Sequence, residues 1–519
     1  MRVFGAFVLM GSLSLGAADW DLVIQGGRLV DGSGSEGKVT QVAIHEGRVA
    51  AIGEEVGPGK RVIDAAGKVV APGFIDVHTH SEKIGELPAA ENFLRMGVTT
   101  IITGNCGTSV TDVAAFFNEV EQTEVALNVA TLIGHNSVRR QAMGGSFLRR
   151  PTAEQLAEMQ RLVDQAMVDG AVGLSTGLIY NPGSFAKTDE VLALAKAAAV
   201  HDGIYVSHMR HETVKIFEAI EELVTIARGA KIRAQVSHIK LTGPTAWGKA
   251  AEVLQVLDQA RVEGLQITHD QYAYTASSTG LAQLIPDAAR EGSREDYLAR
   301  IADPEKKAAI VAKMAEMRER LGREDYGYAV IARYPADPAL NGKRIPEAAK
   351  LRRGSDAVEE QVELILEIEA KGGGSAVYHG MNEEDLKVFM KHPLTMVASD
   401  GGPRRFGEDV PHPRSYGNNA RVLGRYVREQ GLLTVEEAVR KMAALPAEVF
   451  QLKDRGLIKV GAVADVVVFD PVAVEDKSLF EDPHHYAEGF SEVIVNGVLV
   501  IAGGALQERR PGKAVRRGL

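Results

Sequence analysis

The sequence predicts an α/β protein, a (β/α)8 TIM barrel with a small β-sandwich built from both chain ends and an inserted helical lid. Three observations lead there. Eight strand-like apolar runs alternate with helical periods through the middle of the chain, alternating strand patterns broken by glycine occupy both ends, and one long charged helical stretch interrupts the alternation before the last run. Eight strands, most of them followed by a helix, are what such a barrel requires.

In chain order, residues 1–18 read as a cleavable export signal, because one positive charge precedes a short apolar stretch that ends in the small residues Gly16, Ala17 and Ala18. Export places the protein in the periplasm or outside the cell, and without that signal it would be cytoplasmic. No cysteine follows the apolar stretch, so a lipoprotein anchor is excluded. From 19 to 72, DLVIQGGRLVDGSG, KVTQVAIHEGRVAAIG and KRVIDAAGKVVAPG alternate apolar and polar residues and break at glycine, the pattern of short antiparallel strands. The same texture returns within 446–519 in ADVVVFDP and EVIVNGVLVIAGG, so the two ends are expected to form one small β-domain.

The barrel is expected over 73–445, with its strands at FIDVHTH, VTTIITGN, NVATLIGH, AVGLSTG, IYVSHMR, RAQVSHIK, LQITHDQY and TMVASD. The gap at about 287–351 is too long for a simple βα unit, and its helical SREDYLARIADPEKKAAIVAKMAEMRERLG marks the lid.

Composition bounds the function. The 519 residues carry a net charge of −10 spread along the chain, with a basic cluster only in RRPGKAVRRG, which argues against nucleic acid as a partner. No apolar stretch is long enough to span a membrane. The single cysteine, Cys106, forms no internal disulfide, and it follows a β-branched run where a strand opens into a glycine loop.

Other ligand-type residues occupy equivalent strand ends. Asp76, His78 and His80 close the first run, His208 the fifth, His238 the sixth and Asp400 the eighth. Residues two apart on a strand face one side, so His78 and His80 both point toward the barrel mouth. Imidazole and thiolate are ligands that Zn²⁺ prefers, and a carboxylate beside them serves as a base.

This series, with the split β-domain, resembles the amidohydrolase superfamily and more closely the N-acyl-D-amino-acid deacylases, or D-aminoacylases. The matching stretches include APGFIDVHTHSE, GVTTIITGNCG, GHNSVRRQAMG, GLSTGLIYNPGSFAKTDE, YVSHMRHE, VSHIK, DQYAYTAS, SDGG with HPRSYG, and LPAEVFQLKDRGLIKVGAVADVVVFDP. The resemblance implies hydrolysis of the linear amide of a small N-acyl-D-amino acid. It implies one tightly bound Zn²⁺ on Cys106, His208 and His238, a second, weaker metal position at His78 and His80, and proton transfer by Asp400. It also places Lys240, Arg414 and Tyr272 or Tyr274 at the substrate carboxylate, where a fork of guanidinium donors, an ammonium or a phenol is needed. The family carries proline between those tyrosines where this chain has Ala273. His135, Arg139 and Arg140 match the family without a role attached. Alternatives are a D-aminopeptidase or dipeptidase, a cyclic amidohydrolase of the dihydropyrimidinase or dihydroorotase kind, and a non-catalytic binding protein on the same fold.

Overall fold

A computed structural model describes residues 20–145 and 147–518. The expected signal, 1–18, lies outside the described residues.

Eight short strands form the centre. They are β1 (Phe74–Asp76), β2 (Val98–Thr103), β3 (Asn128–Thr131), β4 (Gly173–Gly177), β5 (Ile204–His208), β6 (Arg233–Val236), β7 (Ile267–Gln271) and β8 (Thr395–Val397). Pairing is parallel from β1 to β3 and from β4 to β8. Past β3, Ile133 and Gly134 pair in parallel with Leu174 and Ser175 of β4 and bring the two groups together. At the other side, Asp400 N donates to His78 O at 2.9 Å and His80 N to Gly401 O at 2.7 Å, so the segments leaving β1 and β8 are also joined.

The sequence explains this burial. In β2, VTTIIT is buried at every position, as expected of a parallel strand covered on both faces. Its neighbours Ile101 and Ile102 point to opposite sides and pack into two different apolar clusters. The outer side is covered by amphipathic helices. Ile216–Ala230 buries Ile216, Ala219, Ile220, Leu223, Val224 and Ala227, a three-to-four residue spacing that makes one apolar stripe.

The chain ends meet in sheets of their own. Val69–Pro72 from the N-terminal part pairs antiparallel with Val466–Phe469 from the C-terminal part. A second sheet holds Trp20–Gln25, Gln41–His45, Arg48–Gly53 and Gly59–Asp64. Ile24, Ile44 and Ile63 of that sheet share one apolar cluster with Val70, Val466 and Ile494 of the other.

The segment between β7 and β8 has its own core, which includes Leu281, Met314, Tyr326, Ile345, Ile365 and Tyr378. It is not purely helical. Ser277–Gly280, Ala329–Arg333 and Ser375–Tyr378 form a three-stranded antiparallel sheet beneath the helices, so the extra unit extends on both sides of the 287–351 range. The helices include Arg294–Ala302 and Pro304–Arg320, the stretch that read as helical in sequence.

Candidate metal centre

The ends of β1, β2, β5, β6 and β8 deliver their side chains to one place. Cys106 Sγ lies 3.3 Å from His78 Nε2, 3.5 Å from His208 Nδ1 and 3.6 Å from His238 Nε2. Asp400 Oδ1 lies 3.2 Å from His80 Nε2 and 3.6 Å from His78 Nε2. The thiol and three imidazoles therefore converge, with a carboxylate and a fourth imidazole beside them.

Holding them there strains the backbone. Cys106 has φ 51°, His238 φ 33° and Asp400 φ 51°, in a region that residues other than glycine rarely adopt. Backbone outliers of this kind cost on the order of 1–3 kcal/mol each and persist where the surroundings over-determine them. Around Cys106 the flanking glycines supply the room. A Cβ on Gly104 would lie 2.2 Å from Leu132 O, and one on Gly107 would lie 2.5 Å from Asn136 Oδ1.

Electrostatics divides the cluster. Burial opposes charge on every ring, yet Asp270 and Cys106 outweigh it at His78, Asp400 and Cys106 at His80, and Glu212 and Cys106 at His238, so these three sit above the ordinary imidazole value. Burial alone would raise the Cys106 thiol, but His78 and His208 outweigh it and hold the group well below its ordinary value. The thiolate is the metal-binding species. Burial also opposes ionisation of Asp400, yet Arg414 and His78 outweigh that effect, and the carboxyl sits well below its usual range. Burial keeps His208 below its ordinary value, toward the neutral ring that a metal requires.

Three carboxylates support this cluster: Asp76, which the sequence placed at the end of the first strand, and Asp270 and Glu212, which it did not single out. Asp76, at the end of β1, accepts from His78 N at 3.1 Å and from Ser399 N at 3.1 Å. Asp270 in β7 accepts from His238 N at 2.9 Å, and its Oδ1 lies 3.3 Å from His78 Nδ1. Glu212 lies 3.1 Å from His238 Nδ1 and 2.5 Å from Lys240 Nζ. The signal for Glu212 was its position four residues after His208 in HMRHE, while Asp270 stood in plain view in THDQY.

A cavity of about 990 Å³ opens above the cluster, lined by His80, Cys106, His208, His238, Lys240 and Asp400 and on its far side by Leu284, Met317 and Tyr378 of the inserted segment. Tyr180 also lines it, with its ring centroid 4.8 Å from that of His208 and its hydroxyl oxygen accepting from Thr279 Oγ1 at 3.2 Å.

The remaining expected residues divide. Arg414 Nη1 lies 2.9 Å from Asp400 Oδ2 without a hydrogen bond of its own, and the guanidinium stacks 4.6 Å from the Tyr272 ring centroid. Lys240 Nζ lies 5.9 Å from the same ring, so Tyr272 packs against both cations. Of these residues Lys240 lines the cavity, Arg414 and Tyr272 lie behind that lining, and Tyr274 is turned elsewhere. Its hydroxyl donates to Asp476 at 2.7 Å, and its ring stacks under Arg421. Ala273 donates from its backbone to Asn418 at 2.9 Å, which fixes the turn between the two tyrosines without proline. His135 and Arg139 meet at buried Glu190, at 2.9 Å and 3.1 Å, and Arg139 also holds the carbonyls of Phe147 and Arg149. They form a brace away from the cavity lining.

The donor set of thiolate, imidazoles and adjacent carboxylate fits Zn²⁺, whose binding would displace the ring protons. Three groups, His78–Cys106–His238, His78–His80–Asp400 and His208–Glu212–His238, each bring their ligand atoms within 4.8 Å of one another.

Comparison with known proteins gives the same family. The model of the Amidohydrolase family matches residues 61–501. The chain is 36% identical to the N-acyl-D-glutamate deacylase and 32% identical to the D-aminoacylase of Alcaligenes xylosoxydans xylosoxydans, covering 96% of this chain in both cases and 96% and 98% of those proteins. The crystal structure of the N-acyl-D-glutamate deacylase of Bordetella bronchiseptica, complexed with zinc and a phosphonate mimic of the tetrahedral intermediate, superposes with a TM-score of 0.83 at 34% identity, over 96% of this chain and 100% of that one. A family match over most of the chain, with relatives above 30% identity across nearly its whole length, establishes that the chain belongs to the amidohydrolase family.

Proposed function

We propose that this protein is a zinc-dependent deacylase that hydrolyses the amide bond of N-acyl-D-amino acids, releasing a carboxylate and a free D-amino acid. The observation that carries this reading is the meeting of a lone thiolate, four imidazoles and an ionised carboxylate, of which Cys106, His80, His208, His238 and Asp400 line one cavity. Relatives aligned over nearly the full chain are deacylases of this class, and the preference for the D configuration rests on them.

Cys106, His208 and His238 would hold the tighter zinc, and His78 with His80 a second, weaker one. Cys106 stands at the corner between the two sets, since its sulfur is as near His78 as it is to the other histidines. Bound zinc supplies Lewis acidity toward water and toward the acyl carbonyl.

The chain's own groups do the rest. Asp400 is ionised and directs one oxygen toward His80, so it is placed to accept a proton from the attacking water. The same carboxyl returns that proton to the nitrogen, because an amine departs poorly unless protonated. Arg414 and Lys240, both against Tyr272, receive the substrate's α-carboxylate. Arg414 Nη1 is ion-paired with Asp400 Oδ2 at 2.9 Å, so the guanidinium would meet the incoming anion with its remaining donors.

The reading extends to architecture and location. The parallel strands close as a (β/α)8 barrel over 73–445, the two end sheets pack as a sandwich, and the inserted segment serves as a lid over the cavity it lines. The charge, apolar stretch and small residues of 1–18 support export to the periplasm or beyond.

The test is a panel of N-acetyl-D- and N-acetyl-L-amino acids, dipeptides, hydantoins and dihydropyrimidines given to the zinc-loaded protein, with released amine or ring opening measured. Release from the N-acetyl-D series is expected. Turnover confined to cyclic substrates, or binding with no amine released, would overturn the proposal.

A further inference from the structure

Among the groups around the cluster, Glu212 has a geometry that the ligand set does not explain. It lies four residues past His208, its side chain is 10% exposed, and its backbone carbonyl accepts from Thr242 N at 2.7 Å. That bond ties the loop after β5 to the loop after β6, and it carries the carboxylate to His238 and Lys240.

A neutral imidazole carries its proton on one nitrogen and a lone pair on the other. His238 Nδ1 has two close neighbours that require opposite choices. Lys240 Nζ, at 2.7 Å, is a donor only, and Glu212 Oε1, at 3.1 Å, is an acceptor only when ionised. If Lys240 donates to Nδ1, the ring proton sits on Nε2, the atom facing Cys106 at 3.6 Å, and that atom has no lone pair for a metal. If Nδ1–H donates to Glu212, Nε2 is free. Glu212 also draws the ammonium to itself at 2.5 Å, and the carbonyl of His238 accepts from it at 3.1 Å, so Lys240 has acceptors without Nδ1. His208 is pulled in the same sense. Its Nδ1 faces Cys106 at 3.5 Å, and its buried Nε2 lies 3.7 Å from Glu212.

We infer that Glu212 is a positioning residue for the metal site, holding His238 in the tautomer that presents Nε2 to the ion and diverting Lys240 from the proton-bearing nitrogen. The inference rests on the zinc reading above. Acceptors behind metal-bound histidines of this kind typically change metal affinity by 10- to 100-fold when removed.

The test measures zinc dissociation constants by chelator competition in the full-length wild type, Glu212→Gln, Lys240→Met and the double variant, with far-UV circular dichroism as a check on folding. Glu212→Gln is expected to bind zinc about 10- to 100-fold more weakly, because its neutral side chain no longer holds the ammonium or the ring proton. Lys240→Met alone should stay within a few-fold of wild type. The double variant should recover most of the lost affinity, since the competing donor is gone. A merely structural glutamate, or one that ligates the ion itself, would show no such recovery. If Glu212→Gln does not fold, Glu212→Asp takes its place, and its smaller loss must likewise be recovered by Lys240→Met. Undiminished zinc affinity in the glutamate variant, or a double variant as weak as the single, overturns the inference and leaves the deacylase reading standing. A wild type that binds no zinc overturns both.

Discussion

At Cys106 and Asp400, adjacent side chains are assigned separable tasks, and substitution distinguishes them. Cys106→Ala removes the sulfur that lies within 3.6 Å of three imidazoles, so zinc content after chelator-free purification should fall from about one ion per chain to a small fraction of that. Undiminished zinc in this variant would make Cys106 a packing residue. Asp400→Asn is nearly isosteric and leaves those contacts alone, so zinc and fold should persist. Its amide cannot accept the proton of water or return it to the amine. Turnover should therefore fall by at least the roughly 10²- to 10⁴-fold characteristic of general acid–base catalysis, while affinity for N-acyl amino acids survives through Lys240 and Arg414. Amine release at the wild-type rate would remove Asp400 from the chemistry.

Among the elements, β1 and β8 carry the geometry of the site, and Asp76 is the residue that joins them. It is buried and accepts from two amides, one on each of the segments that deliver His78 and Asp400. Asp76→Ala would leave both N–H groups buried without a partner, at a cost of about 1–3 kcal/mol each, whereas Asp76→Asn keeps an acceptor and should cost less. Chemical unfolding midpoints should rank wild type, Asn and Ala in that order, and an unchanged midpoint for Ala would refute this role. The strands were legible in sequence because β-branched runs such as VTTIIT end in loops marked by glycine and ligand residues. The residues brought together by neighbouring loops were less so. Glu212 approaches His238 through a bond between the segments after β5 and β6, and Tyr274 turns toward Asp476, a residue 202 positions away in the chain. Long-range partners of this kind leave no local period to read. The insertion itself was legible, but its strands were hidden for another reason: they are short and, as in half-buried SSTG, partly polar, and the long charged helices dominate the pattern.

For the whole molecule, the end opposite the metal cluster has a charge of its own with a consequence for stability. Lys441, on the helix Val435–Met442, is 3% exposed and donates to the carbonyls of His392 and Thr395, next to β8. Burial, assisted by Arg440, brings its pKa from 10.5 down to about 7. The folded protein therefore releases this proton near pH 7, while the unfolded chain keeps it until near 10.5. Between those values the unfolded state binds more protons, so the group's contribution to stability rises with pH, by at most about 1.4 kcal/mol per unit. Below pH 7 both states are protonated and the contribution is flat at its least favourable level. Lys441→Met has no proton to exchange. It loses the two carbonyl contacts at every pH, a constant offset, but it also loses the alkaline gain. The difference in unfolding free energy, wild type minus variant, should thus be level below pH 7 and grow from pH 7 to 9.5, measured by denaturant titration on zinc-free protein so that metal loss does not enter. A difference that stays constant across that window would mean that Lys441 remains charged in the folded protein.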